Sequence, residues 1–248
     1  MEILFFLVLF LTGFLAGILN AVAGGATFLT FPALMLAGLS PVSANATNFI
    51  ATAPGNIAAL PAFKNELRMI GKQIYGPILI CSFGSIFGAI ILFSLGADIF
   101  KSLIPYLMGF ATLLFVFAPN LRKKLVGLSL KSQKLPIILL FAFSIYGGYF
   151  GAGLGQIALA VLILIGFEDL RTANAMKNAV IASISVPASI IYIMSGEVFW
   201  PYAVVMFLGS AGGGYIGGRL AIALPQNNIR KIVIIFGALL TIYYFFMK

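Results

Sequence analysis

Apolar residues run through this chain in long blocks, and the block lengths predict its elements. Runs at about 44–63, 73–95, 99–118, 173–195, 199–223 and 228–247 are each 20 to 25 residues long. At 1.5 Å per residue, each is a helix able to cross a hydrocarbon core roughly 30 Å thick. Residues 3–37 and 135–165 break the pattern. Each is too long for one span and too short for two, with glycines near its middle: Gly24-Gly25 in the first, Gly151, Gly153 and Gly155 in the second. Two short helices meeting inside the membrane, as a re-entrant hairpin or a broken helix, fit that length. Non-helical backbone at that depth survives only where protein buries it or it lines a wet cavity. The run from Ile3 to Leu19, followed by Ala21-Val22-Ala23, has the outline of a secretory signal. Its flank carries Glu2 and no basic residue, and a similar pattern returns deep in the chain, so it is expected to be retained.

A shift of 129 residues superimposes landmarks without a gap. Ala23-Gly24 falls on Ala152-Gly153, and Ala44-Asn45-Ala46 on Ala173-Asn174-Ala175. Gly84 and Gly88 fall on Gly213 and Gly217, and Lys101 on Arg230. A duplicated half explains four coincidences in one register. The expected organisation is a first half over 1–119, a basic cytoplasmic connector over 120–134, and a second half over 135–248. Internal repeats of this kind are common in transporters, with the substrate site where the halves meet.

Composition agrees with the membrane reading. The chain of 248 residues is 62% apolar and only 8% charged, with a net charge of +9. A soluble domain is about 45–50% apolar and 25% charged, so a cytosolic enzyme, a nucleic-acid-binding module and a disordered tail are excluded. Charge placement then speaks to topology. With an odd number of crossings per half and the connector inside, 13 basic residues are cytoplasmic and two, Lys101 and Lys248, are outside. An even number puts nine inside and six outside. The positive-inside rule favours the odd count, and therefore inverted halves.

The chemistry is narrow. There is no His, so histidine metal sites and proton relays are excluded. The single Cys81 lies in an apolar run and reads as a buried structural thiol. The carboxylates Glu2, Glu66, Asp98, Glu168, Asp169 and Glu197 all fall at ends of hydrophobic segments, which argues against paired-acid hydrolysis and against enzymes generally. No metal, cofactor or P-loop is expected, so any pumping would use a gradient or another subunit.

What remains is a set of small polar residues. Gly24-Gly25, beside Asn20 and Thr27, lets the backbone leave the helix, and a helix starting after it would aim free N–H groups at an anion. Close helix packing is the competing reading, and it is preferred for Gly84 and Gly88. Asn45, Asn48, Thr52 and Asn56 recur at i, i+3, i+7 and i+11, one stripe of a helix. The equivalent positions are Asn174, Lys177, Ile181 and Ser185, with Asn178 adjacent. Two such stripes read either as the lining of a path or as interhelical glue. Lys177 is either a functional intramembrane charge or a snorkelling cytoplasmic anchor.

The run of Gly17, Asn20, Gly24-Gly25, Pro32, Gly38, Pro41 and Ala44-Asn45-Ala46-Thr47-Asn48 resembles the signature of the TauE/SafE sulfite-exporter family. The resemblance extends through the second half by its Gly-rich segment and the Gly213-to-Gly217 spacing. It implies a multi-pass protein of the plasma (cell inner) membrane that moves sulfite or an organosulfonate such as sulfoacetate. Ala26 stands where the family often has a third glycine, and Leu154–Val161 lacks a proline often found there. Related thiosulfate importers use several cysteines, and this chain has one. The expected fold is thus all-α and polytopic, with two repeated halves, each a broken Gly-rich helix pair plus about three full spans. The expected function is export of a small sulfur oxyanion, the alternatives being an anion channel or transport of another small organic anion. The expected binding residues are Asn20, Gly24, Gly25, Thr27, Asn45, Asn48, Gly153, Gly155, Gln156, Asn174, Lys177 and Asn178. The expected partners are that anion and the lipid bilayer, with no nucleic acid, and a homodimer is left open.

Overall fold

The computed structural model describes residues 2–125, 134–167, 169–223 and 226–246. Residues 126–133 of the connector, Glu168 and Lys248 lie outside them. The described residues contain helices and no strand. The first half comprises α1 (Glu2–Val22), α2 (Ala26–Leu36), α3 (Pro41–Ala59), short α4 (Lys64–Ile70), α5 (Tyr75–Leu95) and α6 (Ala97–Leu125). The second comprises α7 (Lys134–Tyr149), α8 (Leu154–Leu164), α9 (Leu170–Met194), α10 (Trp200–Ala223) and α11 (Gln226–Phe246). Helical stretches Glu2–Val22, Pro41–Leu95, Ala97–Phe117 and Leu170–Met194 are long and apolar enough to cross a membrane.

Local signals set several boundaries. Ser40 caps α3, accepting from the Ser43 N–H at 3.2 Å, with Pro41 in the first turn. Asp169 caps α9 through the Thr172 N–H at 2.8 Å and hydroxyl at 2.7 Å. Those bonds, the backbone one first, hold its carboxyl below the usual carboxylate range. The two expected breaks are present, between α1 and α2 and between α7 and α8. The expectation of two short helices holds for the second pair, 16 residues in α7 and 11 in α8, and in the first pair for α2 alone, with 11 residues. The first pair opens with a 21-residue helix, because the apolar run from Ile3 continues unbroken to Val22. Helix α6 also passes the expected edge of the connector, continuing through Asn120 to Leu125.

Packing exchanges elements between the halves: α1 lies along α10 and α3, and α7 along α5. Small residues permit this. A Cβ on Gly213 would collide with the Phe14 carbonyl, and one on Gly88 with the Ile145 carbonyl. Gly84 likewise meets Ser144, so Gly84 and Gly88 are packing glycines. Buried aromatic residues fill the space around α2: Phe31 sits edge-on to Phe150, 5.4 Å between centroids, and Phe28 edge-on to Phe115 at 5.7 Å.

Contacts also group the helix ends. Tyr202 of α10 stacks near Phe5 and Phe6 of α1. Ser43 donates to the Glu197 carboxylate, and the Phe199 N–H to the Thr47 hydroxyl at 3.0 Å. The start of α6 and the ends of α2 and α11 share a groove with Pro41. At the opposite end, Met69, Ile70 and Gln73 share a cleft with the end of α8 and the start of α9.

The packing generates a paired prediction. Gly213→Ala should cost about 1–3 kcal/mol by overpacking. Gly212→Ala, whose Cβ would meet only the Phe14 ring at 3.6 Å, should stay within about 0.5 kcal/mol of the parent. Thermal unfolding of both purified proteins in detergent measures the difference, and equal stabilities would contradict the close approach of α1 and α10.

Candidate functional site

Interrupting a helix inside a membrane strands carbonyl groups that water would otherwise solvate. Here side chains of both halves supply their donors. At the end of α1, Lys177 of α9 donates to the carbonyls of Asn20 (3.3 Å) and Ala21 (2.8 Å). Asn178 adds a bond to Ala21 at 3.3 Å and one to the Asn174 carbonyl at 2.9 Å. Gln156 of α8 donates to the Ala23 carbonyl at 2.9 Å. At the end of α7, Tyr192 donates to Gly148 at 2.7 Å, and Asn45 of α3 donates to the Tyr149 carbonyl and the Tyr192 oxygen, both at 3.1 Å. Lys177, Asn45 and Asn178 are fully buried. A cation at a helix C-terminus also opposes the negative end of the helix dipole.

The two breaks interlock. Gly24, at φ 75°, and Gly153, at φ 68°, take backbone conformations that favour glycine. The Gly155 N–H donates to the Gly24 carbonyl at 3.4 Å, and a Cβ on either residue would strike the other's backbone. Gly25 precedes α2 and Gly153 precedes α8, and neither helix start has a side-chain cap.

Beside this knot is a small cavity of about 20 Å³. Its polar wall is Asn20, Thr27, Asn48, Thr52 and Ser185, and Phe49, Phe150, Gly151, Leu154 and Ile181 complete it. Asn48 accepts from the Thr30 hydroxyl and faces the Thr27 hydroxyl at 3.4 Å. Room of this size holds about one water.

The structure therefore divides the expected residues. Asn20, Thr27 and Asn48 meet at the cavity, joined by Thr52, Ile181 and Ser185 of the two stripes. Gly24, Gly25, Gly153, Gly155 and Gln156 form the knot, and Asn45, Asn174, Lys177 and Asn178 lie at the helix ends. The Oδ1 atoms of Asn45, Asn174 and Asn178, and both amide atoms of Asn56, have no partner among the described residues. Sequence reasoning missed Phe49 and Phe150 as walls. In a chain with 24 phenylalanines, nothing local distinguishes those two.

Interrupted helices closing around a polar cavity inside an apolar bundle are the architecture of a membrane transport protein. The chain belongs to the sulfite exporter TauE/SafE family, whose sequence model matches residues 9–244. It is 32% identical over 238 residues to the probable membrane transporter protein YfcA of Escherichia coli (strain K12), covering 94% of this chain and 87% of that one. A probable membrane transporter protein of Haemophilus influenzae is 29% identical, covering 94% and 92%. A third, ORF9 of Sinorhizobium sp, is 27% identical, covering 94% and 90%. No solved structure matches. The protein is a multi-pass transporter of the cell inner membrane, not an enzyme.

The caps make a stability prediction. A hydrogen bond from a charged donor contributes roughly 1.5–3 kcal/mol, so Lys177→Met should lower the unfolding midpoint in detergent by several degrees. Lys231→Met, at an exposed position, should melt like the parent. Matching curves for both variants would remove Lys177 from the helix-capping role.

Proposed function

We propose that the protein carries a small sulfur-containing oxyanion, sulfite or an organosulfonate, out of the cell through the cavity beside the two breaks. The observation behind this reading is the cavity's chemistry: amide and hydroxyl groups from both halves, no carboxylate, and the Lys177 ammonium bonded to the backbone of one lining residue, Asn20. An oxyanion presents several acceptors, which amide and hydroxyl donors match. In this reading Asn20, Thr27, Asn48, Thr52 and Ser185 contact the anion. Lys177 supplies positive charge, while Gly24, Gly25, Gly153, Gly155, Gln156, Asn45, Asn174 and Asn178 hold the breaks in place. A space too small for an anion to pass favours a carrier over an open channel.

The carrier reading includes inverted halves, 1–119 and 135–248, joined by the basic connector. At the 129-residue offset α2 falls on α8, α3 on α9, α5 on α10 and α6 on α11. Thr112 and Thr241, equivalent positions in the two halves, approach each other at 3.4 Å, as residues beside a two-fold axis do. The α2 end lies beside the start of α6, whereas the α8 end lies beside α4 at the opposite end of the bundle. This supports hairpins entering from opposite sides.

Uptake into proteoliposomes, screened over sulfite, sulfate, thiosulfate, sulfoacetate and simple carboxylates, tests the substrate. Saturable counterflow with sulfite or a sulfonate is expected, and large unitary currents would make the protein a channel. Loss of one amide bond to a charged ligand is worth roughly 1.5–3 kcal/mol, so Asn48→Ala should weaken binding about ten- to a hundredfold. Calorimetry on the purified variant reads this directly. Unchanged affinity in a folded Asn48→Ala protein would place the anion elsewhere.

A further inference from the structure

We propose that the groove between α2, α6 and α11 binds an anionic phospholipid of the surrounding bilayer, with the Lys101 ammonium against its headgroup. The groove encloses about 570 Å³, within the roughly 300–1,000 Å³ of ligand-sized pockets. Its walls beyond Lys101 are apolar, among them Ile104, Pro105, Leu239, Leu240 and Tyr244. It exists because α2 is short. Eleven residues rise about 16 Å, half of a hydrocarbon core, so α2 cannot fill the space between two longer helices. In a bilayer that space meets lipid, and an acyl chain is the apolar matter at hand.

The cation makes the site selective. Lys101 lies in the second turn of α6, near the positive end of that helix's dipole, where a basic side chain is electrostatically disfavoured. It makes no hydrogen bond or ion pair among the described residues; Asp98, one turn earlier, is exposed and forms no ion pair with it. The helix start and the ammonium therefore reinforce each other toward an anion. Ile104 and Pro105 sit one turn further along, so charge and apolar wall follow each other along α6, as headgroup and tail do in a phospholipid. On the charge distribution above, Lys101 and Lys248 are the only basic residues assigned to this face. An amphiphile with an anionic head finds its counter-charge here at the mouth of the groove.

Native mass spectrometry of the purified protein, after exchange into micelles containing phosphatidylglycerol or phosphatidylcholine, tests the proposal. One lysine near a membrane surface is worth roughly a fivefold preference for the anionic lipid, and that retention ratio is expected. Lys101→Gln should bring the ratio near one. Leu239→Trp, at a 61% exposed position on the groove wall, should reduce retention of both lipids while thermal stability stays unchanged. Equal retention of the two lipids by the parent protein, or an undiminished ratio in Lys101→Gln, would overturn the proposal. So would displacement by glycerol phosphate at the same concentration as whole lipid, since a site for a free phosphate has no use for the groove.

Discussion

Carbonyl oxygens exposed by a broken helix in a hydrocarbon layer must find donors, since each unsatisfied group costs several kcal/mol. In this protein each break draws side-chain donors from the other half. The carbonyls of Asn20 and Ala21 are met by Lys177 and Asn178, those of Gly148 and Tyr149 by Tyr192 and Asn45. Except for Tyr192, which serves α7 from within its own half, every one of these donors comes from the opposite half. Interlocking Gly24 with Gly155 adds a backbone bond across the same seam. Assembly of the halves thus satisfies carbonyls at both breaks, alongside the packing of α1 on α10 and α7 on α5.

Under the proposed duplication, positions 129 residues apart are equivalent, and their divergence gives the site its asymmetry. Tyr149 is the counterpart of Asn20, and both carbonyls receive donors from the third helix of the opposite half, α3 or α9. The donors are not equivalent: Asn45 serves one end, whereas Lys177, counterpart of Asn48, serves the other. The lysine stem reaches a carbonyl that an asparagine at that place would not. Because Asn45 caps α7, Asn48 is released to face Thr27 and the cavity. Opposite, the Oδ1 atoms of Asn174 and of Asn45 alike have no partner among the described residues.

Much of this was legible in the sequence, and what was not has a physical cause. Apolar run length located the spans, and glycines in over-long segments located both breaks, because each signal is local. The stripe of Asn45, Asn48, Thr52 and Asn56 was visible as a helical period, yet its members have different fates: Asn45 is a cap, Asn48 and Thr52 line the cavity, and Asn56 has an unpartnered amide. Periodicity assigns a face to a helix and says nothing about which carbonyl lies opposite. The same holds for Gly155, whose role depends on Gly24, 131 positions away.

Cavity size carries the last step. A space of about 20 Å³ admits one water and no sulfite, so under the carrier reading its walls separate before an anion enters. The contacts that resist separation are the cross-half caps, and they differ in reach. Asn45 holds α7 through a short amide stacked between fixed backbone and the Tyr192 hydroxyl, a geometry that tolerates little displacement. Lys177 holds α1 through a four-carbon stem and a rotatable ammonium, which can follow its carbonyls as they move. The end of α1 is also held by Asn178, Gln156 and the Gly24–Gly155 bond, so under the carrier reading opening there breaks short contacts even where the Lys177 stem can follow.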